Sequence, residues 1–293
     1  MFKANNVSKA FGPNEVLSSL DLTVGTGSIF GLVGVNGAGK STLLRLAAGV
    51  YRCDSGSITL CGRDTFRDNE ARERISFVSD EMYFPLGSTI KSMKTFYKDL
   101  YPFDEDAYRN YLEAFELRPD MRISTLSKGM KRRTALLFAL STHPRLLLLD
   151  EAYDGLEPVA RLRLKRILVD LVEDEGLTVI ISSHSLKELE DICDSYGILD
   201  GGKMQSYGDL LAARDDVNKY QVVFDREPVR GDFAGLDLLC FMAEGRVARL
   251  VIRGDRDEVM SRIRALQPLL VDVLPVDFEE MFIYEVSGGE EDE

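Results

Sequence analysis

The eight residues GVNGAGKS at 34–41 constrain this chain more than any other feature. They fit the pattern GxxxxGK[ST], and they lie between an apolar, β-rich run, SIFGLVGV (28–35), and a segment with helical spacing, STLLRLAAGV (41–50). Gly34, Gly37 and Gly39 let the main chain wrap closely around an anion, and the amides of residues 37–42 point at it together with the helix N-terminus. Lys40 is placed to reach β- and γ-phosphate oxygens, and the Ser41 hydroxyl to complete a Mg²⁺ shell. The motif therefore predicts a nucleoside triphosphate site built from Gly34, Val35, Asn36, Gly37, Ala38, Gly39, Lys40, Ser41 and Thr42.

A second run, RLLLLDEA (145–152), reads as a buried strand, RLLLLD, ending in Asp150. Beside a phosphate loop, Asp150 is placed to hold Mg²⁺ directly or through water. Glu151, next along, is placed to polarise a water for attack on the γ-phosphate. Further apolar runs, ISFV (75–78) and TVIISS (178–183), alternate with helix-period stretches, so residues 1–215 read as an α/β domain. A helical subdomain, about 84–142, falls between two runs that must be neighbours in a parallel sheet. From about residue 219 the pattern changes. YQVVF, RVARLVIRG and LLVDVLPV look like strands, with DEVMSRIRALQP as a helix, so residues 216–293 are expected to form a small C-terminal α+β domain with an acidic tail.

The 293 residues are 45% hydrophobic and 29% charged, an ordinary globular balance. The formal charge is −13, with 18 acids against 9 bases after residue 215 and 31 against 27 before it. No basic footprint recommends nucleic acid as a partner. The longest apolar stretches fall far short of the ~18 residues that span a bilayer, and the start lacks the apolar core of a secretory signal. The chain is thus expected in the cytosol. Its four cysteines show no CxxC pair, and buried, reduced thiols are the expectation.

Taken in order, these segments resemble the ATP-binding subunit of ATP-binding cassette (ABC) transporters over about residues 2–210. LSKGM (126–130) resembles the family signature LSGGQ, and the resemblance assigns Ser127, Lys128, Gly129 and Met130 to the γ-phosphate held by a second subunit. A serine cap before a helix also accounts for Ser127 without any such role. His184 resembles the family's switch histidine, which contacts the γ-phosphate and holds the attacking water or Glu151. Phe11 resembles the aromatic that stacks on adenine, and Asp80 falls where a glutamine usually touches Mg²⁺. His143, before a proline, reads as structural.

Departures accompany the likeness. Asp80 replaces that glutamine, Lys128 a glycine and Met130 a glutamine, and in EAYDGLEP (151–158) Asp154 replaces a serine and Glu157 an aspartate. The ending PVDFEEMFIYEV resembles the drug-exporter-like branch. The resemblance implies a P-loop ABC-type nucleotide-binding domain that binds ATP and Mg²⁺ and hydrolyses ATP. It also implies a homodimer, or a heterodimer with a similar subunit. A separate multispanning permease would dock near residues 80–100, placing the chain on the cytoplasmic face of the cell membrane. Two other readings are a soluble ABC-type ATPase with a cytosolic or nucleic-acid client, and a regulatory module that holds ATP without useful hydrolysis.

Overall fold

The computed structural model describes residues 1–184, 186–210, 217–276 and 280. The chain opens with a hairpin, β1 (Phe2–Phe11) and β2 (Asn14–Val24), then turns inward as β3 (Ile29–Val33). Helix α1 (Lys40–Ala47) leads out to β4 (Ser55–Leu60) and the short β5 (Arg63–Asp64). After α2 (Asn69–Arg72) comes β6 (Ile75–Val78), followed by α3 (Ile90–Leu100), α4 (Glu105–Ala114) and α5 (Lys128–Ser141). The series closes with β7 (Leu146–Asp150), α6 (Pro158–Glu175), β8 (Thr178–Ser182), α7 (Leu186–Glu190), β9 (Ser195–Asp200) and β10 (Lys203–Asp209).

Two sheets result. One has the order β2-β1-β4-β5 and is antiparallel; the other has the order β10-β9-β3-β8-β7-β6, with β9, β3, β8, β7 and β6 parallel. Every residue of β3, β7 and β8 is buried, as expected for strands covered on both faces. Leu43, Leu44 and Leu46 of α1 pack in one core with Phe2, Leu20 and Leu22 of the antiparallel sheet and Phe30, Leu148 and Ile180 of the parallel one. The helix that follows the phosphate loop is thus clamped by both sheets.

β6 and β7 pair directly, Ile75 with Leu146 through Val78 with Leu149, although three helices lie between them in sequence. Those helices are capped in turn by Thr89 with Ser92, by Asp104 and by Ser127, and the Tyr97 ring stacks on Phe138 with centroids 4.7 Å apart. His143 serves structure: its Nε2 lies 2.9 Å from Asp104 and its Nδ1 3.1 Å from Glu175. Arg161, Arg163 and Lys165 of α6, which its amphipathic spacing alone would leave as a solvated face, are paired instead. Arg161 pairs with Glu188, Arg163 with Glu116 and Lys165 with Asp191. The cysteines depart from expectation as well: no disulfide joins them, but only Cys193 and Cys240 are buried, while Cys53 is half-buried and Cys61 exposed.

The chain divides into two compact units, Met1–Tyr207 and Gly208–Glu293, and the expected boundary at 215 lies outside the described residues. The second unit holds β11 (Val217–Val223), β12 (Asp237–Glu244), β13 (Val247–Arg253), α8 (Arg256–Ala265) and β14 (Leu270–Leu274). Its antiparallel sheet, ordered β12-β13-β11-β14, packs Tyr220, Val222, Leu250 and Ile252 against Val259 and Ile263 of α8. The ending PVDFEEMFIYEV lies outside the described residues except for Pro275, Val276 and Glu280.

Glu105, at the start of α4, bridges Lys94 and Lys98 of α3 at 2.5 Å each. Hydrogen bonds from Lys94 and then Lys98 pull its carboxyl from the ordinary 4.5 down to about 2. A carboxyl depressed in the folded state stabilises it above the unfolded value and loses that contribution as pH falls through the folded one. Glu105→Gln should therefore melt below the wild type at neutral pH, with the gap closing as pH falls from 4.5 toward about 2. Thermal unfolding across that range checks it; a gap independent of pH would refute the bridge.

Candidate functional site

The loop 34–39 leaves the C-terminal end of β3 and enters α1 through Gly39, whose φ of 109° is left-handed. A Cβ on Gly39 would also lie 2.7 Å from Leu17 Cδ2 and 3.0 Å from the Val16 carbonyl. Gly34 is required for a different reason: its Cβ would lie 2.3 Å from the Leu199 carbonyl of β9. The loop is pressed so closely onto β9 and β2 that no side chain fits beneath it. Lys40 is buried, and its Nζ donates to the Gly34 carbonyl at 2.6 Å and the Val35 carbonyl at 3.3 Å, spanning the loop it belongs to. Burial pushes its ammonium pKa down, opposed by the negative charges of Glu151 and Asp150.

β7 delivers Asp150 to the same place. Its Oδ1 accepts hydrogen bonds from the Ser41 hydroxyl at 3.0 Å and the Ser182 hydroxyl at 2.8 Å, while its buried Oδ2 has no partner among the described residues. Leaving such an acceptor unpaired costs about 1–3 kcal/mol. The orphan oxygen and the Ser41 hydroxyl suit Mg²⁺, a hard cation that takes few protein ligands and fills its shell with phosphate oxygens and water. Among the described residues no cluster of three or more His, Cys, Asp or Glu side chains forms an all-protein metal cage.

Glu151 has φ 49°, a strained position for a side-chain-bearing residue, and its amide donates to the Ser182 carbonyl at 3.1 Å and hydroxyl at 3.2 Å. Its Oε2 lies 2.8 Å from His184 Nδ1 and accepts the His184 amide at 3.3 Å. Neighbouring strands β7 and β8 thus present the acid and the imidazole side by side. A cavity of about 350 Å³ collects Asn36, Gly37, Ala38, Gly39, Lys40, Ser41 and Thr42 with Val16, Asp80 and Glu151.

The remaining sequence-predicted residues lie elsewhere. Phe11 ends β1 as a 44% exposed residue, its ring edge-on to Tyr51 at 5.4 Å, and does not line that cavity. Val16 of β2 lines it instead. Ser127 caps α5 by accepting the Met130 amide at 3.2 Å, and Ser127 to Met130 lie outside the lining of this chain's own phosphate cavity. Gly129 is needed within the chain, since a Cβ there would lie 2.4 Å from the Gly155 carbonyl. Glu157 is the N-cap of α6 but makes no side-chain cap.

Sequence reasoning misses Ser182 and Arg132. Arg132 is fully buried, with its Nη2 2.8 Å from Asp80 Oδ1 and its Nη1 2.9 Å from the Ser79 carbonyl and 3.2 Å from the Asp150 carbonyl. A signal existed: Gly129, Arg132, Leu136 and Leu140 fall at spacings of three and four, so Arg132 sits on the buried stripe of α5. A charge on such a stripe demands a partner.

Two alanine substitutions separate the two glycine requirements. Gly34→Ala should cost about 3 kcal/mol, because the clash is with main chain. Gly37→Ala, whose Cβ meets nothing within 4 Å but whose φ is 86°, should cost only roughly 1–2 kcal/mol of conformational strain. Urea unfolding of both decides it; equal losses would refute the close packing of the loop on β9.

A family model described as ABC transporter matches residues 17–154. The chain is 30% identical over 289 residues to the ABC transporter ATP-binding protein YtrB of Bacillus subtilis (strain 168), covering 98% of this chain and 99% of that protein. It is 31% identical to the Nod factor export ATP-binding protein I of Rhizobium leguminosarum bv. viciae, covering 94% and 92%. Among solved structures, an ATP-binding subunit of an ABC transporter superposes with a TM-score of 0.68 at 26% identity, over 73% of this chain and 92% of that one. A phosphate loop on β3, its magnesium-competent carboxylate on β7 and this likeness over nearly the whole length agree: the chain belongs to the ABC transporter ATP-binding protein family.

Proposed function

We propose that this chain hydrolyses Mg-ATP to drive export through a membrane-spanning partner made as a separate polypeptide. The observation that carries the reading is the convergence of Lys40, Ser41, Asp150, Glu151 and His184 on one phosphate-loop site. The α1 N-terminus and the loop amides bind the phosphates, and Lys40 exchanges its loop carbonyls for β- and γ-phosphate oxygens. Ser41 and Asp150 would hold Mg²⁺, which would neutralise charge on those oxygens, and Asp80 lines the same cavity. Glu151 orients a water and takes its proton as the water attacks, and His184 fixes the Glu151 carboxylate.

The position of Ser127, Lys128, Gly129 and Met130 away from this chain's own cavity supports a role on the nucleotide of a second subunit, identical or similar. Docking of the membrane partner fits a cavity of about 430 Å³ between the sheet-side residues Val50, Ile75 and Phe77 and the helix-side residues Tyr97, Tyr101 and Ala135. In the 80–100 segment, Tyr83 and Leu86 expose 86% and 95% of their surface, apolar area that a helix from the partner would cover. No helix among the described residues is long and apolar enough to cross a membrane. The assembly places the chain on the cytoplasmic face of the cell membrane, and the export direction follows the relative named for Nod factor export.

Glu151→Gln should keep ATP affinity within about threefold while lowering turnover by roughly 10²–10⁴-fold, the range a general base contributes. Calorimetric binding with steady-state phosphate release checks it, and unchanged turnover would remove Glu151 from the mechanism. Affinity purification of the tagged chain from gently solubilised membranes should recover a multispanning protein in stoichiometric amount. Soluble partners alone would overturn transport and leave the ATPase.

A further inference from the structure

Arg132 is the one fully buried side chain of the molecule's core, among the described residues, that carries a fixed charge. A guanidinium does not release its proton in a protein, so a buried one must be matched by an anion and by acceptors for its N–H groups. The structure supplies both. Asp80 gives the carboxylate at 2.8 Å, and the carbonyls of Ser79 and Asp150 accept from Nη1. Only Nε is left without a partner among the described residues. One side chain of α5 therefore fastens together the loop after β6 and the end of β7, the strand that carries Asp150 and Glu151 into the site.

The charges continue outward. Lys128 Nζ lies 3.9 Å from Asp80 Oδ1 and 2.5 Å from Asp154 Oδ2, giving a chain of alternating sign from Arg132 through Asp80 and Lys128 to Asp154. Asp80, Lys128 and Asp154 stand where the family resemblance leads one to expect uncharged residues. Their replacement together is explained by this chain of contacts: each new charge faces one of opposite sign. Glutamine at 80 could accept from Arg132 but could not neutralise it.

We propose that Arg132 is a positioning residue for hydrolysis, using Asp80 as its counter-charge to fix the end of β7 against the phosphate loop, with Lys128 and Asp154 extending the same chain to the segment after Glu151. The proposal rests on the ATPase reading above. It also divides the labour of Asp80: Oδ1 is committed to Arg132, which leaves Oδ2, without a partner among the described residues, to serve the cavity.

A double-mutant cycle of Asp80→Gln and Arg132→Gln, with Arg132→Lys as the conservative variant, tests it. Each glutamine variant should lower kcat about tenfold with ATP affinity changed less than about threefold, and the double variant should return to within about threefold of wild type. Arg132→Lys should fall between. The same cycle is read by urea unfolding without nucleotide, where the double should again lose less than the sum of the singles. Additive losses in kcat would overturn the proposal, and so would coupling in unfolding with kcat unchanged, which would make Arg132 structural only. If Arg132→Gln does not fold while the double does, kcat decides: a double within about threefold of wild type beside a slowed Asp80→Gln supports the proposal, and a double as slow as Asp80→Gln overturns it. If neither folds, Lys128→Met and Asp154→Asn, both at half-exposed positions, carry the test, with non-additive loss of kcat expected and additivity overturning it. A wild-type chain without turnover would sink the ATPase reading, while the unfolding cycle would still decide whether the pair is coupled.

Discussion

The Asp150 carboxylate is the constraint around which the first unit is arranged. It is 1% exposed at the end of an all-leucine strand, where an anion is expensive unless its surroundings answer it. Ser41 reaches it from α1, Ser182 from β8, and Lys40 contributes a positive charge nearby. Each donor comes from a different element, so the carboxylate can be satisfied only if β7, β8 and α1 hold their mutual places. The wholly buried strands β3, β7 and β8 and the clamping of α1 between two sheets supply that rigidity. Among the described residues nothing pairs with Oδ2, and Lys40 Nζ rests on its own loop carbonyls rather than in an ion pair. Buried groups left short in this way mark where a ligand's charge completes the fold's own bookkeeping.

Much of this is legible in the sequence because the parallel strands are continuous apolar runs. ISFV is β6 in full, and RLLLLD and TVIISS each overrun their strands by one residue. The glycines, Lys40 and Ser41 announce the loop for the same reason: their spacing has few other uses. The antiparallel sheet is not legible. β1 and β2 pair through register shifts between Ala4 and Val7, Val7 and Lys9, and Lys9 and Ala10, and Asn6 and Ser19 take φ of 47° and 49°. Such bulges break the alternation of polar and apolar residues by which a half-buried strand is recognised.

Charges are the other illegible part, because identity does not reveal what a long side chain meets. Arg161, Arg163 and Lys165 look like the solvated side of an amphipathic helix, yet their partners Glu188, Glu116 and Asp191 come from elements distant in sequence. Asp80 looks like a shortened metal ligand, and only the fold shows Arg132 behind it. Asp80 is brought to Arg132 by the pairing of β6 with β7, which joins remote segments, and spacing along one segment cannot show that.

The α6 pairs bear on the reacting groups. Glu151 and His184 follow adjacent strands, and each is followed by a helix, α6 after the one and α7 after the other. Arg161 and Lys165 of α6 bind Glu188 of α7 and Asp191 just beyond it, so the two helices are tied to each other a short distance past the residues whose geometry matters. A residue such as Glu151, held at φ 49°, costs roughly 1–3 kcal/mol of backbone strain and persists only where its surroundings over-determine it. Here its amide is fixed to Ser182 behind it, its carboxylate to His184 beside it, and the chain on either side to paired strands and paired helices. The strain is carried by elements that would all have to move together to release it, which is how a carboxylate can be kept in one orientation beside a loop whose occupant comes and goes.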